Sequence, residues 1–185
     1  MDYRVANVEK IARSMLQVVA FNPSMDIMDF GSGTGLLLEK IAPFVHSISA
    51  VDISQSMHEQ LEKKRHRLGC ELEIMKMDLS KSVIDRKYDG IISSMTMHHV
   101  EDIALMFSRF YSMLNNNGFI TIADLYTEQG DFHTENIGVF HFGFDHQKLI
   151  DIAGNAGFGY AKTIPASTVH KPQGDFPVFL LTATK

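Results

Sequence analysis

Met28-Asp29-Phe30-Gly31-Ser32-Gly33-Thr34-Gly35 is the stretch that decides the fold of this chain. An apolar run over residues 25–30 leads into three alternating glycines, and a helix-like pattern begins at Leu36. Glycines here allow the backbone to turn sharply and to approach a ligand more closely than a Cβ would permit. About 20 residues further on, Asp52 ends a second apolar run, where its carboxylate can accept hydrogen bonds from ribose hydroxyls. Together, these features predict a strand–turn–helix unit that binds a nucleoside-containing ligand.

The residues around the glycines argue against two other nucleotide sites. Leu36 stands where a dinucleotide-binding fingerprint has Gly or Ala, and a bulky residue there hinders close packing of the helix. An NAD-dependent oxidoreductase is therefore the weaker alternative. No Gly-Lys-Ser/Thr follows the glycines, so the stretch is not a phosphate-binding P-loop. A glycine turn without a ligand is disfavoured too, because an acid stands at the expected distance.

Asp29 to Gly35 resembles motif I of the class I S-adenosylmethionine-dependent methyltransferases, including its leading acid. Residues 88–100 resemble motif IV of the members that act on small molecules, and the resemblance covers residues 25–185. It implies an enzyme that transfers a methyl group from S-adenosylmethionine to a small-molecule acceptor and leaves S-adenosylhomocysteine. The other matching stretches are Val51-Asp52-Ile53-Ser54 with Met57 for motif II, Met77-Asp78-Leu79 for motif III, and Asn116-Asn117-Gly118 for the turn into the fifth strand.

The resemblance also implies which residues contact the cofactor. The glycines would approach its methionine part, an acid would hold its ribose, and the backbone carbonyl of Ser94 would receive its ammonium group. The implied cofactor-binding residues are Asp29, Gly31, Gly33 and Gly35 at the turn, Asp52 at the ribose, Ile53 and Met57 on the adenine faces, Asp78 and Leu79 at the adenine edge, and Ser94 and Met95 after the fourth strand.

Alternating strand and helix patterns along the chain predict an α/β fold with a parallel sheet covered on both faces. The resemblance implies a doubly wound, Rossmann-like methyltransferase fold of seven strands in the order 3-2-1-4-5-7-6, with the last strand antiparallel. A capping box of Ser56 and Glu59 is expected in the helix over 55–68, and a proline-containing loop is expected between the last two strands. The predicted strands cover 25–30, 46–52, 72–77, 88–94, 119–125, 159–164 and 177–184, and the predicted helices cover 5–20, 35–42, 55–68, 101–115 and 145–155.

Histidines after the fourth and fifth strands are the candidates for chemistry. His98 and His99 follow the fourth strand, where an imidazole can deprotonate a hydroxyl or simply brace the turn. The long connection over 127–143 carries His133 and His141 among aromatic residues, and connections of this length tend to be functional. His141 is a third candidate base, and Tyr126, His133 and His141 are candidate substrate contacts. A metal site of His133, His141 and a carboxylate is conceivable, but their spacing in a loop does not single it out, and we expect no metal.

Size and composition favour one cytoplasmic domain over residues 1–185, with a leading helix or lid over 1–22 and a core over 25–185. The resemblance implies that the leading helix, which begins near Tyr3 and Arg4, closes over the cofactor, and Arg4 or Arg13 is a candidate to pair with the carboxylate of its methionine part. The net charge of −5 disfavours a nucleic-acid partner, and the first 20 residues contain no apolar run of the kind found in signal peptides. No stretch has the length of a membrane span, and Cys70, the only cysteine, cannot form an internal disulfide.

Two features of the region after the fourth strand narrow the range of possible methyl acceptors. Ser94-Met95-Thr96-Met97 lacks the Asn/Asp-Pro-Pro-aromatic sequence that the resemblance associates with amino-directed adenine or glutamine methylation. No cysteine follows this strand, which excludes the cytosine-C5 type. A small molecule is therefore the expected acceptor. A non-catalytic S-adenosylmethionine-binding protein is the alternative, because a fold does not fix a function. No sequence feature identifies an oligomer interface.

Overall fold

A computed structural model of the protein describes residues 3–135 and 138–185. All seven strands of this part of the chain form one sheet in the order β3-β2-β1-β4-β5-β7-β6, which confirms the predicted fold class. The first five strands are parallel, and β7 runs antiparallel to both of its neighbours. The strands are β1 (Asp26–Phe30), β2 (Ser47–Asp52), β3 (Glu71–Lys76), β4 (Tyr88–Ser94), β5 (Leu114–Leu125), β6 (Gly159–Lys171) and β7 (Gly174–Thr184).

Helices cover both faces of the sheet, because successive side chains of a buried strand point to opposite faces. Met28 belongs to the apolar cluster that includes Phe107 and Leu149, whereas its neighbour Ile27 belongs to the cluster that includes Ile11, Leu38 and Leu61. The helices are α1 (Tyr3–Val18), α2 (Leu38–Ile41), α3 (Gln55–Glu62), α4 (Ile103–Met113) and α5 (His146–Asn155). None of the helices in the described residues is long and apolar enough to cross a membrane.

Two of the predicted helices are shorter than the sequence pattern suggested. The segment predicted over 35–42 contains only the single turn of α2, and a 3₁₀ turn over Ala42–Phe44 with Pro43 follows it. The capping box of Ser56 and Glu59 is wrong. Helix α3 begins directly after Ser54, which makes no side-chain cap, and the backbone amide of Ser54 instead donates to Asp52 Oδ1 at 2.9 Å. Asp52 therefore fixes the start of α3.

The last two strands are longer than predicted and form one hairpin. The expected proline-rich loop is wrong, since residues 165–171 and 174–177 belong to β6 and β7 and only Pro172 and Gln173 form the turn. Pro165 is tolerated because β6 is an edge strand whose register shifts at this point. Pro177 lies just beyond the β5 ladder, and its carbonyl accepts a hydrogen bond from the amide of Tyr126 at 3.1 Å. The hairpin extends past the sheet edge where ligands bind in such folds.

Candidate active site

A cavity of about 460 Å³ opens at the carboxyl ends of β1 and β4. The glycine turn after β1 and the residues after β4 line it, together with His133 of the 127–143 connection. Open α/β sheets bind ligands at this edge, near the point where the strand order reverses. The remaining walls come from Asn7 and Val8 of α1, from Met57 of α3, and from Val169 and Lys171 of β6.

The three glycines of the turn have positive φ angles of 71°, 51° and 79°, which other L-residues rarely adopt. A Cβ on Gly31 would lie 2.2 Å from Thr96, and one on Gly35 would lie 2.5 Å from Leu61. Packing therefore requires glycine at position 31, whereas at position 35 the close atom is only a terminal methyl group of Leu61 and the positive φ angle is the main requirement. A Cβ on Gly33 would meet no atom within 4 Å, and Gly33 lines the cavity. Gly33 is thus the glycine that leaves room for a ligand.

Asp52 anchors the glycine turn through its carboxylate. Its Oδ2 accepts a hydrogen bond from the amide of Gly33 at 2.8 Å, while Oδ1 accepts from the amide of Ser54 at 2.9 Å. The carbonyl of Val51 accepts from the amide of Gly31 at 2.8 Å, so the end of β2 holds both sides of the turn. Each carboxylate oxygen has a further lone pair, which leaves capacity for ribose hydroxyls.

Asp29 is a buried acid that faces the cavity. It is 1% exposed, and its Oδ2 accepts no hydrogen bond from any group in the described residues. Burial, and to a lesser degree the neighbouring charge of Asp52, raise the pKa of Asp29 from 3.8 to about 7. Asn7, Ser32 and Ser94 also place unpaired side-chain oxygens at the cavity. These atoms fit a polar, cationic ligand such as the ammonium end of S-adenosylmethionine.

The residues predicted around adenine fall into two groups. Ile53 and Met57 follow β2 with apolar side chains that are 67% and 36% exposed, and Met57 lines the cavity whereas Ile53 does not. Asp78 accepts hydrogen bonds from the amide and hydroxyl of Ser80 and pairs with Lys81 at 3.0 Å. The hydroxyl of Ser80, and then Lys81, lower the pKa of Asp78. Leu79 is buried in the core, and neither Asp78 nor Leu79 lines the cavity.

The chain leaves β4 in a strained conformation beside the cavity. Met95 has a φ angle of 57°, which is uncommon for a residue other than glycine, and its amide donates to the carbonyl of Ala123 at 2.8 Å. The carbonyl of Ser94 accepts a hydrogen bond from the hydroxyl of Thr96 at 3.2 Å. Ser94 and Met95 both line the cavity, as expected from their position after the fourth strand.

His98 is held by a buried carboxylate from the neighbouring strand. It lies in a 3₁₀ turn over Met97–His99 and is 1% exposed. Its Nδ1 lies 2.7 Å from Oδ1 of Asp124 near the end of β5, and its amide donates to Oδ2 of the same residue at 3.2 Å. The carboxylate favours the tautomer with the proton on Nδ1, which leaves the Nε2 lone pair directed away from Asp124.

The 127–143 connection brings His133 to His98. Glu128 organises its first turn, because its Oε2 accepts hydrogen bonds from the amides of Gly130, Asp131 and Phe132 at 2.7, 2.8 and 3.2 Å. The Nε2 atoms of His133 and His98 lie 3.1 Å apart. Burial, and then the neighbouring imidazoles of His98 and His99, lower the pKa of His133 to about 4. His133 is therefore neutral at pH 7.

The structure does not bring His141 and Tyr126 to this cavity. His141 Nε2 donates to the carbonyl of Val100 at 2.9 Å, and the ring of Tyr126 contacts the rings of His146 and Phe179. His141 instead lines a separate opening of about 830 Å³ between the start of α4 and α5. The smaller cavity is the candidate active site, because it alone of the two contains the glycine turn and the unpaired polar atoms.

Comparison with known proteins identifies the family. The sequence profile described as a methyltransferase domain matches residues 3–156, most of the chain. The chain belongs to this methyltransferase domain family.

Curated relatives agree with that assignment. An uncharacterised methyltransferase of Schizosaccharomyces pombe is 28% identical over 157 residues, which cover 76% of this chain and 55% of that protein. A malonyl-[acyl-carrier protein] O-methyltransferase of Bacillus cytotoxicus is 30% identical over 126 residues, which cover 62% of this chain and 42% of that protein. The chain thus spans about half the length of these relatives.

The fold of the methyltransferase domain is shared with solved structures. Phosphoethanolamine N-methyltransferase 2 of Haemonchus contortus, solved in complex with S-adenosyl-L-methionine, superposes with a TM-score of 0.74 at 14% identity. The match covers 94% of this chain and 52% of that one. At this identity, the likeness establishes the fold, and the site is argued from the residues of this chain.

The leading helix of the domain reaches the cavity with residues that sequence reasoning missed. Asn7 and Val8 line it, whereas Arg13 is exposed and does not. The predicted roles of the Tyr3 and Arg4 side chains lie outside the described residues. Asp124 was also missed, although an acid near the end of the fifth strand was a readable signal at this sheet edge.

Proposed function

We propose that this chain transfers a methyl group from S-adenosylmethionine to a small-molecule acceptor. The observation that carries the proposal is the buried carboxylate oxygen of Asp29, which lines the same cavity as Gly33 and has no hydrogen-bond partner among the described residues. A buried, unpaired carboxylate is costly unless a ligand cation pairs with it. The membership of the methyltransferase domain family supports the same conclusion.

The cofactor-binding residues are proposed along one line across the sheet edge. Asp29, Gly31, Gly33 and Gly35 would surround the methionine part, with the Ser94 carbonyl and Met95 on its far side. Asp52 would accept from the ribose, while Ile53 and Met57 would cover adenine. Asp78 and Leu79 are proposed at the adenine edge, where Asp78 would have to share its carboxylate with Ser80.

The acceptor is proposed to bind between the glycine turn and the histidines. The bound cofactor supplies a methyl group that is already electrophilic, so the protein chiefly holds a nucleophile in line with it. His98, His99 and His133 line this part of the cavity, and Phe132 adds an aromatic wall. His98 and His99 are kept as the groups that activate the acceptor. His141 and Tyr126 lie elsewhere and are not placed against this acceptor.

The net charge supports a small-molecule acceptor, and the chemistry of Cys70 argues against a cysteine nucleophile. The net charge of −5 disfavours a nucleic-acid acceptor and favours a small molecule. Burial, and then the neighbouring Glu71, raise the pKa of the Cys70 thiol to about 11, so Cys70 is unsuited to nucleophilic chemistry. We propose a cytoplasmic enzyme in which 1–185 form one domain, with a leading helix within 1–22 and a core over 25–185.

A matched pair of glycine variants tests the cofactor site. Gly33 and Gly138 both have positive φ angles, and a Cβ at either position meets no atom within 4 Å, but only Gly33 lines the cavity. Each Gly→Ala change should cost about 1–2 kcal/mol of folding free energy through backbone strain. Titration calorimetry should show S-adenosylhomocysteine binding at least tenfold weaker for Gly33→Ala and unchanged for Gly138→Ala. Wild-type affinity in a folded Gly33→Ala protein would contradict the proposed site.

A further inference from the structure

Three imidazoles from two separate segments meet on one wall of the cavity. One ring nitrogen each of His98, His99 and His133 lies within 4.8 Å of the others, and all three residues line the cavity. The Nε2 atoms of His98 and His133 are 3.1 Å apart. Two imidazole nitrogens bound to one tetrahedral zinc ion, each at about 2.0–2.1 Å, lie at a similar separation. The spacing therefore suits a shared ion.

Oxygen acceptors outside the cluster form hydrogen bonds with the Nδ1 atoms of two of these imidazoles. The Nδ1 of His98 lies 2.7 Å from Asp124, which is fully buried, and the Nδ1 of His99 lies 2.6 Å from the carbonyl of Gly138. An acceptor at Nδ1 keeps the proton there and leaves Nε2 as the free donor of an electron pair. Metal-binding histidines in proteins almost always carry such a carboxylate or carbonyl partner on the other nitrogen.

We propose that His98, His99 and His133 bind a divalent zinc-like ion whose open coordination position takes the hydroxyl or thiol of the methyl acceptor. The inference rests on the proposed function, because it names how the same cavity would activate its acceptor. The sequence predicted no metal and weighed only a site of His133, His141 and a carboxylate, whereas the His141 side chain binds the carbonyl of Val100 and does not join this cluster.

The composition of the ligand set selects the type of ion. Neutral imidazoles suit Zn²⁺ and its transition-metal neighbours, whereas Mg²⁺ and Ca²⁺ prefer oxygen ligands. Three protein ligands and an open position are typical of catalytic rather than structural zinc. The buried carboxylate of Asp124, which binds Nδ1 of His98, would stabilise a cation at the other nitrogen of the same ring. The nearby cation Lys171 lies 3.6 Å above the ring of Phe132 and donates to the carbonyl of Phe132.

The ion would promote deprotonation of the acceptor, which a histidine would otherwise have to do as a base. A coordinated O–H or S–H group is more acidic, so its proton is lost to water at neutral pH. The resulting oxygen or sulfur anion attacks the methyl carbon and forms the new C–O or C–S bond. The bond from that carbon to the cofactor sulfur breaks, and its electron pair stays on sulfur. The acceptor class is therefore an alcohol, phenol or thiol rather than an amine.

Zinc binding to the metal-stripped full chain tests the site directly. Titration calorimetry should show one Zn²⁺ per chain, with binding at least tenfold weaker in His99→Ala and in His133→Ala. His66→Ala is the matched control, because His66 is exposed on another surface, and it should bind as the wild type does. Asp124→Asn keeps all three imidazoles but changes the partner of His98, and it should weaken zinc binding by about 10–100-fold.

The outcomes test the metal site and the proposed methyl transfer separately. Absence of zinc binding, or zinc binding that His99→Ala and His133→Ala leave unchanged, would overturn the metal site and indicate a hydrogen-bonded histidine cluster. S-adenosylhomocysteine is titrated into the same wild-type samples. If it binds while zinc does not, the metal inference alone fails. If zinc binds at the histidines but S-adenosylhomocysteine does not, the metal site stands, while the proposed methyl transfer and the role of the ion in it fail.

Discussion

Asp29 is the buried side chain that is expected to couple folding to ligand binding. It lines the cavity, and one of its carboxylate oxygens has no hydrogen-bond partner among the described residues. Burial raises the pKa of Asp29 to about 7, because the buried environment disfavours the ionised carboxylate. A ligand cation would remove that opposition. Ligand binding and ionisation of Asp29 are therefore expected to favour each other.

The stability of the ligand-free protein should depend on pH through Asp29. Because the folded pKa of about 7 lies above the ordinary 3.8, stability is lost as pH rises from about 4 to 7 and is constant above that range. The loss attributable to this group is about 4 kcal/mol. Asp29→Asn removes the titrating group, so its denaturant midpoint should fall less over this range than that of the wild type.

Asp29→Asn should weaken ligand binding, although it reduces the loss of stability with rising pH. Affinity for S-adenosylhomocysteine should rise with pH towards 7 in the wild type, because its ammonium group pairs with the ionised carboxylate. Asp29→Asn should bind more weakly at pH 8 and lose this pH dependence. An Asn variant with the wild-type pH profile would show that Asp29 does not face the ligand.

The glycine turn shows which part of the site the sequence predicts. Spacing predicted that all three glycines approach a nucleoside-containing ligand, and the family resemblance implied that this ligand is S-adenosylmethionine. In the structure, Gly31 and Gly35 make room for Thr96 and Leu61, and Gly33 leaves open space in the cavity. The partners Thr96 and Leu61 come from distant parts of the chain, so their contacts arise only from tertiary packing. The turn was therefore predictable, but the separate reasons for its glycines were not.

At the level of elements, the 127–143 connection depends on one acid. The carboxylate of Glu128 accepts three backbone amides and sets the turn that presents Phe132 and His133. The base of the connection is closed by pairing of residues 126–128 with 142–144. Sequence reasoning recognised a long functional connection but not the turn, because a glutamate side chain that closes such a turn leaves no regular pattern.

Removal of the Glu128 carboxylate should loosen this turn selectively. Glu128→Ala leaves three amides without an acceptor and should lower the local opening free energy by about 1–3 kcal/mol. Hydrogen exchange at Gly130, Asp131 and Phe132 should then accelerate roughly tenfold or more. Glu135→Ala removes an exposed acid of the same connection and serves as the control. Equal protection in the two variants would mean that Glu128 does not organise the turn.

The hairpin of β6 and β7 is a second element that contributes to the cavity. It follows the region matched by the family profile, which ends at residue 156, yet Val169 and Lys171 of β6 line the cavity. The prolines suggested a loop because proline usually ends a strand. An edge position and the end of a ladder accommodate Pro165 and Pro177 instead. Acceptor selectivity is expected to depend on this hairpin.

At the level of the whole molecule, the strand order gathers the site. Because parallel strands end at a common edge, the rule for open sheets predicted that Gly31, Asp52, Asp78 and Ser94 would converge. Asp78 does not line the cavity and instead contacts Ser80 and Lys81. The rule did not predict the approach of His133, which reaches the cavity through a long irregular connection. The seven-stranded order was predictable as a family property, whereas the position of His133 depends on contacts between separate parts of the chain.

The central claim is that the cavity binds S-adenosylmethionine. Titration calorimetry of the purified chain with S-adenosylhomocysteine, and separately with NAD, tests it most directly. We predict one S-adenosylhomocysteine per chain with a dissociation constant in the micromolar range, and no NAD binding, since Leu36 occupies the place of the small residue in a dinucleotide site. Binding of NAD without S-adenosylhomocysteine, or binding of neither, would contradict the account.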